Sequence, residues 1–525
     1  MQVGCIWQLL VRHKLVAAGV AALLAEFFVA GLAPPAQALP SFARQTGQPC
    51  GTCHTSYPSL TPFGRRFKLL GYTTGGGLYR TTPFSTKTAN DVRAEYDRLR
   101  GYAADTSAGA KQTNAFDSLA PTAPAEKGWV PPVSMMAIVG FTHTQVDIPP
   151  PADPYHPNDN TVLSPFSAFW GGAITDNVGA FAQVTYNAPG PVSGLTQTPA
   201  DQFVHNWTWD NTDVRFAGTT KIGSVDVVYG ITANNNPTVQ DLWNTTPAWS
   251  FPFAVSTLGT SAPGAATMLE GGFAAHVGGV GAYAMFNDML YVEATGYRTL
   301  SFSQQNSLGV DPFGSNGLLN GVAPYWRVAF EPHWGPHTFM VGTYGAVFDV
   351  NPWIDPSFVQ GTTGTLSVAD RFTDIGIDSQ YQYQGPNYWV TLRANYLREF
   401  QKLDASFSTG NSANLNNELN TLRLTGEVTF GGDNRFALTG QYFKVWGTPD
   451  ANLFSAGNGF ANNSPNSDGW MAELDYIPFA AGKAPGWPWF NAKIGLQYIY
   501  FNKFNGTTVG AQDNNTLFLH AWFAM

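Results

Sequence analysis

The sequence predicts an all-β protein, a transmembrane antiparallel β-barrel of about 16 strands preceded by a short helical segment. Three observations predict it. Runs of about ten residues after position 131 alternate apolar and polar side chains, as a barrel wall requires. Short turns and long loops alternate between those runs, and no apolar stretch after residue 38 is long enough for a spanning helix.

Composition agrees. Charged residues make up only 12% of the 525 residues and aromatics 14%, with Gly 55, Trp 16, Tyr 21 and Phe 37, which suits many short strands with aromatic borders. The formal charge of −9 is spread along the chain without basic clusters, so nucleic acid is excluded as a partner.

Taken in order, the chain opens on an export signal, residues 1–38. Arg12, His13 and Lys14 precede an apolar run from Leu15 to Leu32, and Ala36-Gln37-Ala38 forms an A-x-A cleavage site. Glu26 interrupts the run, and an uncleaved anchor is the other reading. Cys5 precedes the run, so cleavage leaves Cys50 and Cys53 as the only thiols.

These two stand in Cys50-Gly51-Thr52-Cys53-His54. Two thiols three positions apart can add to the two vinyl groups of one haem, and the adjacent histidine then becomes an axial ligand of the iron. The competing reading is a thioredoxin-like redox pair, but no βαβ pattern surrounds it. One covalently bound haem c is therefore expected, on Cys50 and Cys53 with His54 on the iron, in a segment spanning residues 39–100. Within it Thr61-Pro62 reads as the start of a short helix and Gly71 as its stop. Phe63, Phe67 and Leu70 share one face that could cover a haem edge. Arg65, Arg66 and Lys68 either pair with haem propionates or face solvent near the helix end. Residues 101–130 read as a linker, rich in Ala, Thr, Ser, Gly and Pro. The haem segment is too short to wrap a haem unaided, so something else covers it.

Residues 131–525 form the barrel. Thr421–Phe430 sets Leu422, Leu424, Val428 and Phe430 against Thr421, Arg423, Thr425, Glu427 and Thr429. Sixteen such strands run from 133–147 to 513–525, among them one at 269–286. A soluble sandwich would alternate in the same way, but the alternation of tight turns such as Gly385-Pro386 with long loops decides for the barrel. The apolar face meets lipid, while Asp374, Asp378, Arg393, Arg423, Glu427 and Lys493 line a wet lumen. The remaining histidines (His143, His156, His205, His276, His333, His337 and His520) show no spacing that suggests a second metal centre. The sixth iron ligand stays open; Met136 shares the inward face of the first strand, but packing explains a single methionine there better than ligation does.

The chain resembles the fused monohaem cytochrome c–porin family, of which the outer-membrane iron-oxidising cytochrome is a member. The resemblance rests on Ser41-Phe42-Ala43-Arg44-Gln45-Thr46-Gly47 leading into the haem motif and on Phe63-Gly64-Arg65-Arg66-Phe67-Lys68. It continues in Ile174-Thr175-Asp176-Asn177, Asn234-Asn235-Asn236-Pro237-Thr238 and Trp243-Asn244-Thr245-Thr246-Pro247-Ala248-Trp249. It implies a haem segment docked in or at a barrel in the bacterial outer membrane, entering from the periplasmic side. It also implies electrons passing between an extracellular redox partner and a soluble periplasmic carrier. Fe(II) oxidase activity belongs to some branches of that family. A diffusion porin whose haem segment is a plug or sensor is the alternative.

Overall fold

The computed structural model describes residues 40–46, 50–73, 132–148, 156–186, 207–352, 368–432, 434–480 and 488–525. The expected export signal and linker lie outside them, as does most of the second half of the haem segment.

Sixteen long strands form one sheet in which each pairs antiparallel with its sequence neighbour. They are β1 (Val133–Thr144), β2 (Asn160–Ala173), β3 (Val178–Tyr186), β4 (Trp207–Ile222), β5 (Val225–Asn234), β6 (Val277–Phe286), β7 (Leu290–Thr299) and β8 (Ala323–Phe330). Then follow β9 (His337–Asn351), β10 (Asp370–Gln384), β11 (Tyr388–Lys402), β12 (Asn416–Phe430), β13 (Phe436–Gly447), β14 (Ser467–Tyr476), β15 (Asn491–Lys503) and β16 (Thr516–Ala524). Two-residue ladders at Leu318–Leu319 and His333–Trp334 add to the rim. β1 pairs with β16 from Met136↔Ala524 to Thr144↔Thr516, which closes the cylinder and removes every long edge.

The wall follows from the period-two pattern. Outward side chains such as Ile231, Ile377, Leu392, Leu438 and Leu474 are exposed, while their inward neighbours Thr232, Asp378, Thr391 and Glu473 are buried. An apolar outer surface this extensive can only be covered by lipid. Aromatic rings band both ends of it. At the short-turn end Phe430 and Phe436 (5.7 Å) and Phe436 and Tyr476 (5.2 Å) stack; at the long-loop end Phe166 packs on Trp207 and Tyr396 on Trp446.

The strand expected at 269–286 starts later, at Val277. Thr267 and Glu270 form a capping box, and Gly271 takes φ 110°, so Met268–Gly272 turns instead of extending. Those residues belong to a segment, residues 235–276, that folds inward from the long-loop end. Interior groups hold it throughout: Arg215 Nη2 donates to Gln240 O (2.7 Å), Gln441 Nε2 to Phe251 O (2.8 Å) and Gln497 Nε2 to Ala254 O (2.9 Å). Met268 N donates to Glu399 (2.6 Å) and Leu269 N to Asp374 (2.9 Å).

The lumen is accordingly not wet where most of those charges sit, a second correction; of the six, Arg423 alone stays partly exposed. Asp374, Asp378, Glu427 and Lys493 are each 2% exposed or less. Arg327 pairs with Asp378 (2.6 Å) and Asp241 (3.5 Å), Arg423 pairs with Glu270, and Lys493 lies between Glu473 and Asp475. Some inward-facing charges pair strand to strand, and others, such as Arg327 with Asp241 and Arg423 with Glu270, hold the chain that enters the barrel.

Candidate functional site

Among the described residues, three short helices precede the wall: α1 (Pro40–Thr46), α2 (Cys50–Cys53) and α3 (Pro62–Leu69). Thr61 caps α3 as expected, its hydroxyl accepting from Gly64 N (3.1 Å), and Gly71 ends the helix region at φ 68°.

The motif is α2 with His54 beside it. His54 N donates to Cys50 O (2.9 Å), Thr55 N to Ser59 O (3.0 Å) and Thr61 N to Cys53 O (2.9 Å). His54 Nδ1 lies 3.2 Å from Pro58 O, an acceptor only, so Nδ1 carries the proton and Nε2 keeps its lone pair. Burial lowers the His54 pKa to about 4, which keeps the ring neutral at any ordinary pH. A neutral imidazole oriented through its far nitrogen is the form that ligates iron. α3 backs directly on this loop: a Cβ at Gly64 would stand 2.2 Å from Cys53 O, so no larger residue fits there.

Cys50 and Cys53 are free thiols and half-exposed. Burial raises both, Cys53 to about 12 with a smaller contribution from Cys50. A thioredoxin-like pair needs a lowered thiol pKa to be a reactive thiolate, so this environment opposes that reading. The residues present fit a covalently attached haem. They supply two unbonded thiols at the attachment spacing, a preset imidazole and an apolar bed. Cys53 packs against an apolar cluster that includes Phe63, Leu70, Trp243, Met285 and Met340, and Tyr57 meets Trp522 edge-on (5.6 Å) at a second cluster.

These helices are seated in the short-turn mouth and touch the wall around its circumference. Ser41 N donates to Ser134 Oγ (3.2 Å), Gln45 Nε2 to Gly171 O (3.0 Å) and Tyr72 Oη to Asp213 (2.7 Å). Ser59 donates to Glu427 (3.0 Å) and Ser56 to Asp475 (3.0 Å), Thr55 also bonds Glu427, and Gly51 N reaches Ala480 O (3.1 Å). The basic residues of α3 do not point to solvent. Arg65 pairs with Glu331 (3.1 Å) and Gln382 (2.5 Å), Arg66 pairs with Asp288, and Lys68 donates to Val239 O (2.7 Å) and Asp241 O (2.8 Å). All three are buried, which corrects the solvent-facing reading.

Met136 faces inward, as its register requires, and Met135 is exposed to the outside. His520 was set aside with the scattered histidines, yet the fold brings it to Glu473 and Asp475, with candidate ligand atoms all within 4.8 Å of one another. No spacing in the sequence could reveal this, because the three residues come from two strands that each pair with β15.

No protein-family profile and no curated protein matches the chain. Similar solved structures include the complex of OmpF from Salmonella typhi with daunomycin (12% identity, TM-score 0.40, covering 74% of this chain and 97% of that one). Another is the anion-selective porin from Comamonas acidovorans (12%, 0.40, 75% and 99%). A third is the outer-membrane channel DcaP of Acinetobacter baumannii (11%, 0.40, 75% and 97%).

Proposed function

We propose that this chain is an outer-membrane barrel of porin type stoppered by its own N-terminal segment. On this reading the stopper carries one haem c, bound through Cys50 and Cys53 with His54 as axial ligand, and acts as an electron conduit. Extracellular donors, Fe(II) among them, would be oxidised on one side, and a soluble carrier would collect the electrons at the short-turn, periplasmic mouth. The observation that carries this reading is the placement of Cys50–His54 inside the mouth of a barrel whose interior groups are buried. A packed lumen suits electrons, which need no water-filled path, better than it suits solutes. The resemblance to the fused monohaem cytochrome c–porin family points the same way.

The second reading, a diffusion porin whose haem-bearing segment is a plug or sensor, is favoured by the wall itself. A cylinder of sixteen strands is wide enough for an aqueous channel once its contents withdraw. Both readings share the haem, which is tested first. Protein purified from a host that matures c-type cytochromes should show haem fluorescence or peroxidase staining on a denaturing gel, lost in Cys50→Ser/Cys53→Ser. An unstained wild-type band would remove the haem from both.

A further inference from the structure

We propose that Glu473, Asp475 and His520 form a binding site for one first-row divalent cation, set in the barrel wall behind the motif loop. The three side chains are 2%, 2% and 1% exposed, and their ligand atoms lie within 4.8 Å of one another. Two carboxylates and an imidazole are a donor set suited to Fe(II), Mn(II) or Zn(II).

Two observations separate this from a merely acidic cluster. First, two buried polar atoms beside the spot have no hydrogen-bond partner, Nε2 of His520 and Oδ1 of Asp475. Such atoms are costly in an interior and are expected to meet a ligand. Second, the wall is cut away where they converge. A Cβ at Gly495 would lie 2.3 Å from His520 Nε2 and 2.8 Å from Asp475 Oδ1, so the absence of a side chain there opens the cradle. Glu473 Oε1, 3.7 Å from His520 Nε2, supplies the third donor.

The other groups around the spot are accounted for. Lys493 Nζ lies 3.3 Å from Glu473 Oε1 and 3.5 Å from Asp475 Oδ2, and so sits to one side of Asp475 Oδ1. Gln497 Nε2 holds Glu473 Oε2 (2.6 Å), and Ser56 Oγ holds Asp475 Oδ2 (3.0 Å). Two acids face one lysine at the spot, which leaves one acid in excess for a cation to meet. Through Ser56 the site is one hydrogen bond from the motif loop, yet the proposal does not require the haem and can fail or stand without it.

The experiment is Mn(II) binding to the detergent-solubilised full chain, followed by loss of the free-ion electron paramagnetic resonance signal. The site predicts one Mn(II) per chain. Binding should weaken at least about tenfold in His520→Ala and in Gly495→Ala, whose methyl fills the cradle. Retained gel mobility of the unheated barrel reports that each variant folds; Asp475→Asn is the substitute if His520→Ala does not. No stoichiometric binding to wild type, or equal binding to folded variants, would overturn the proposal.

Discussion

Lys68 brings an ammonium into the sealed end of the barrel, where it donates to Val239 O and Asp241 O and lies 4.9 Å from the Trp249 ring. Burial, reinforced by the nearby Arg215 charge, lowers its pKa to about 7 from 10.5. The sign follows from proton counting. Between about 7 and 10.5 the undocked chain holds a proton that the docked chain lacks, so docking strengthens as pH rises through that window and is weakest below it. Thermal release of the N-terminal segment, followed by near-ultraviolet circular dichroism, should therefore occur at higher temperature at pH 9 than at pH 6.5. Lys68→Met should flatten that difference; an equal dependence in the variant would remove Lys68 as its source. At this scale the sequence exposed only what is local. The spacing of Cys50, Cys53 and His54 and the Thr61 cap are complete within a few residues. The partners of Arg65 and Arg66 lie more than 200 positions away (266 and 222), and no sequence period reports such a pairing.

α3 is held by wall acids, and Glu331 matters most because it accepts from two buried donors, Arg65 and the Trp243 indole. Removing it strands both, and breaking a buried charge pair from one side costs roughly 3–5 kcal/mol. Glu331→Ala should make Arg44, Arg65, Arg66 and Lys68 accessible to trypsin at temperatures where wild type resists, with the barrel still folded. Unchanged resistance would mean that the apolar bed alone holds α3. Strands were the most legible elements, since each carries its period within itself. The exception is instructive: Met268 and Leu269 are as apolar as a strand requires, but the capped turn at Thr267–Glu270 and Gly271-Gly272 divert them inward. Residues 234–268 read only as a long polar, aromatic or Gly/Pro-containing loop. Their destination is set by Arg215, Gln441 and Gln497, which lie on three different strands.

For the whole molecule, closure was legible from alternating turns and loops, but the contents of the cylinder were not. A polar inner face predicts water equally well as it predicts a stopper, and only the bonds from inserted chain, Thr245 to Asp378 and Ser59 to Glu427, decide between them. The central claim is that electrons cross this barrel through the stopper while solutes do not. It is tested by sealing the purified protein into lipid vesicles that enclose both a cytochrome c and a small fluorescent dye, with a membrane-impermeant reductant of lower potential than cytochrome c, such as hexaammineruthenium(II), outside. The account predicts reduction of the enclosed cytochrome without dye loss, and no reduction with Cys50→Ser/Cys53→Ser. Dye escape with wild type, or reduction that persists in the cysteine variant, would contradict it.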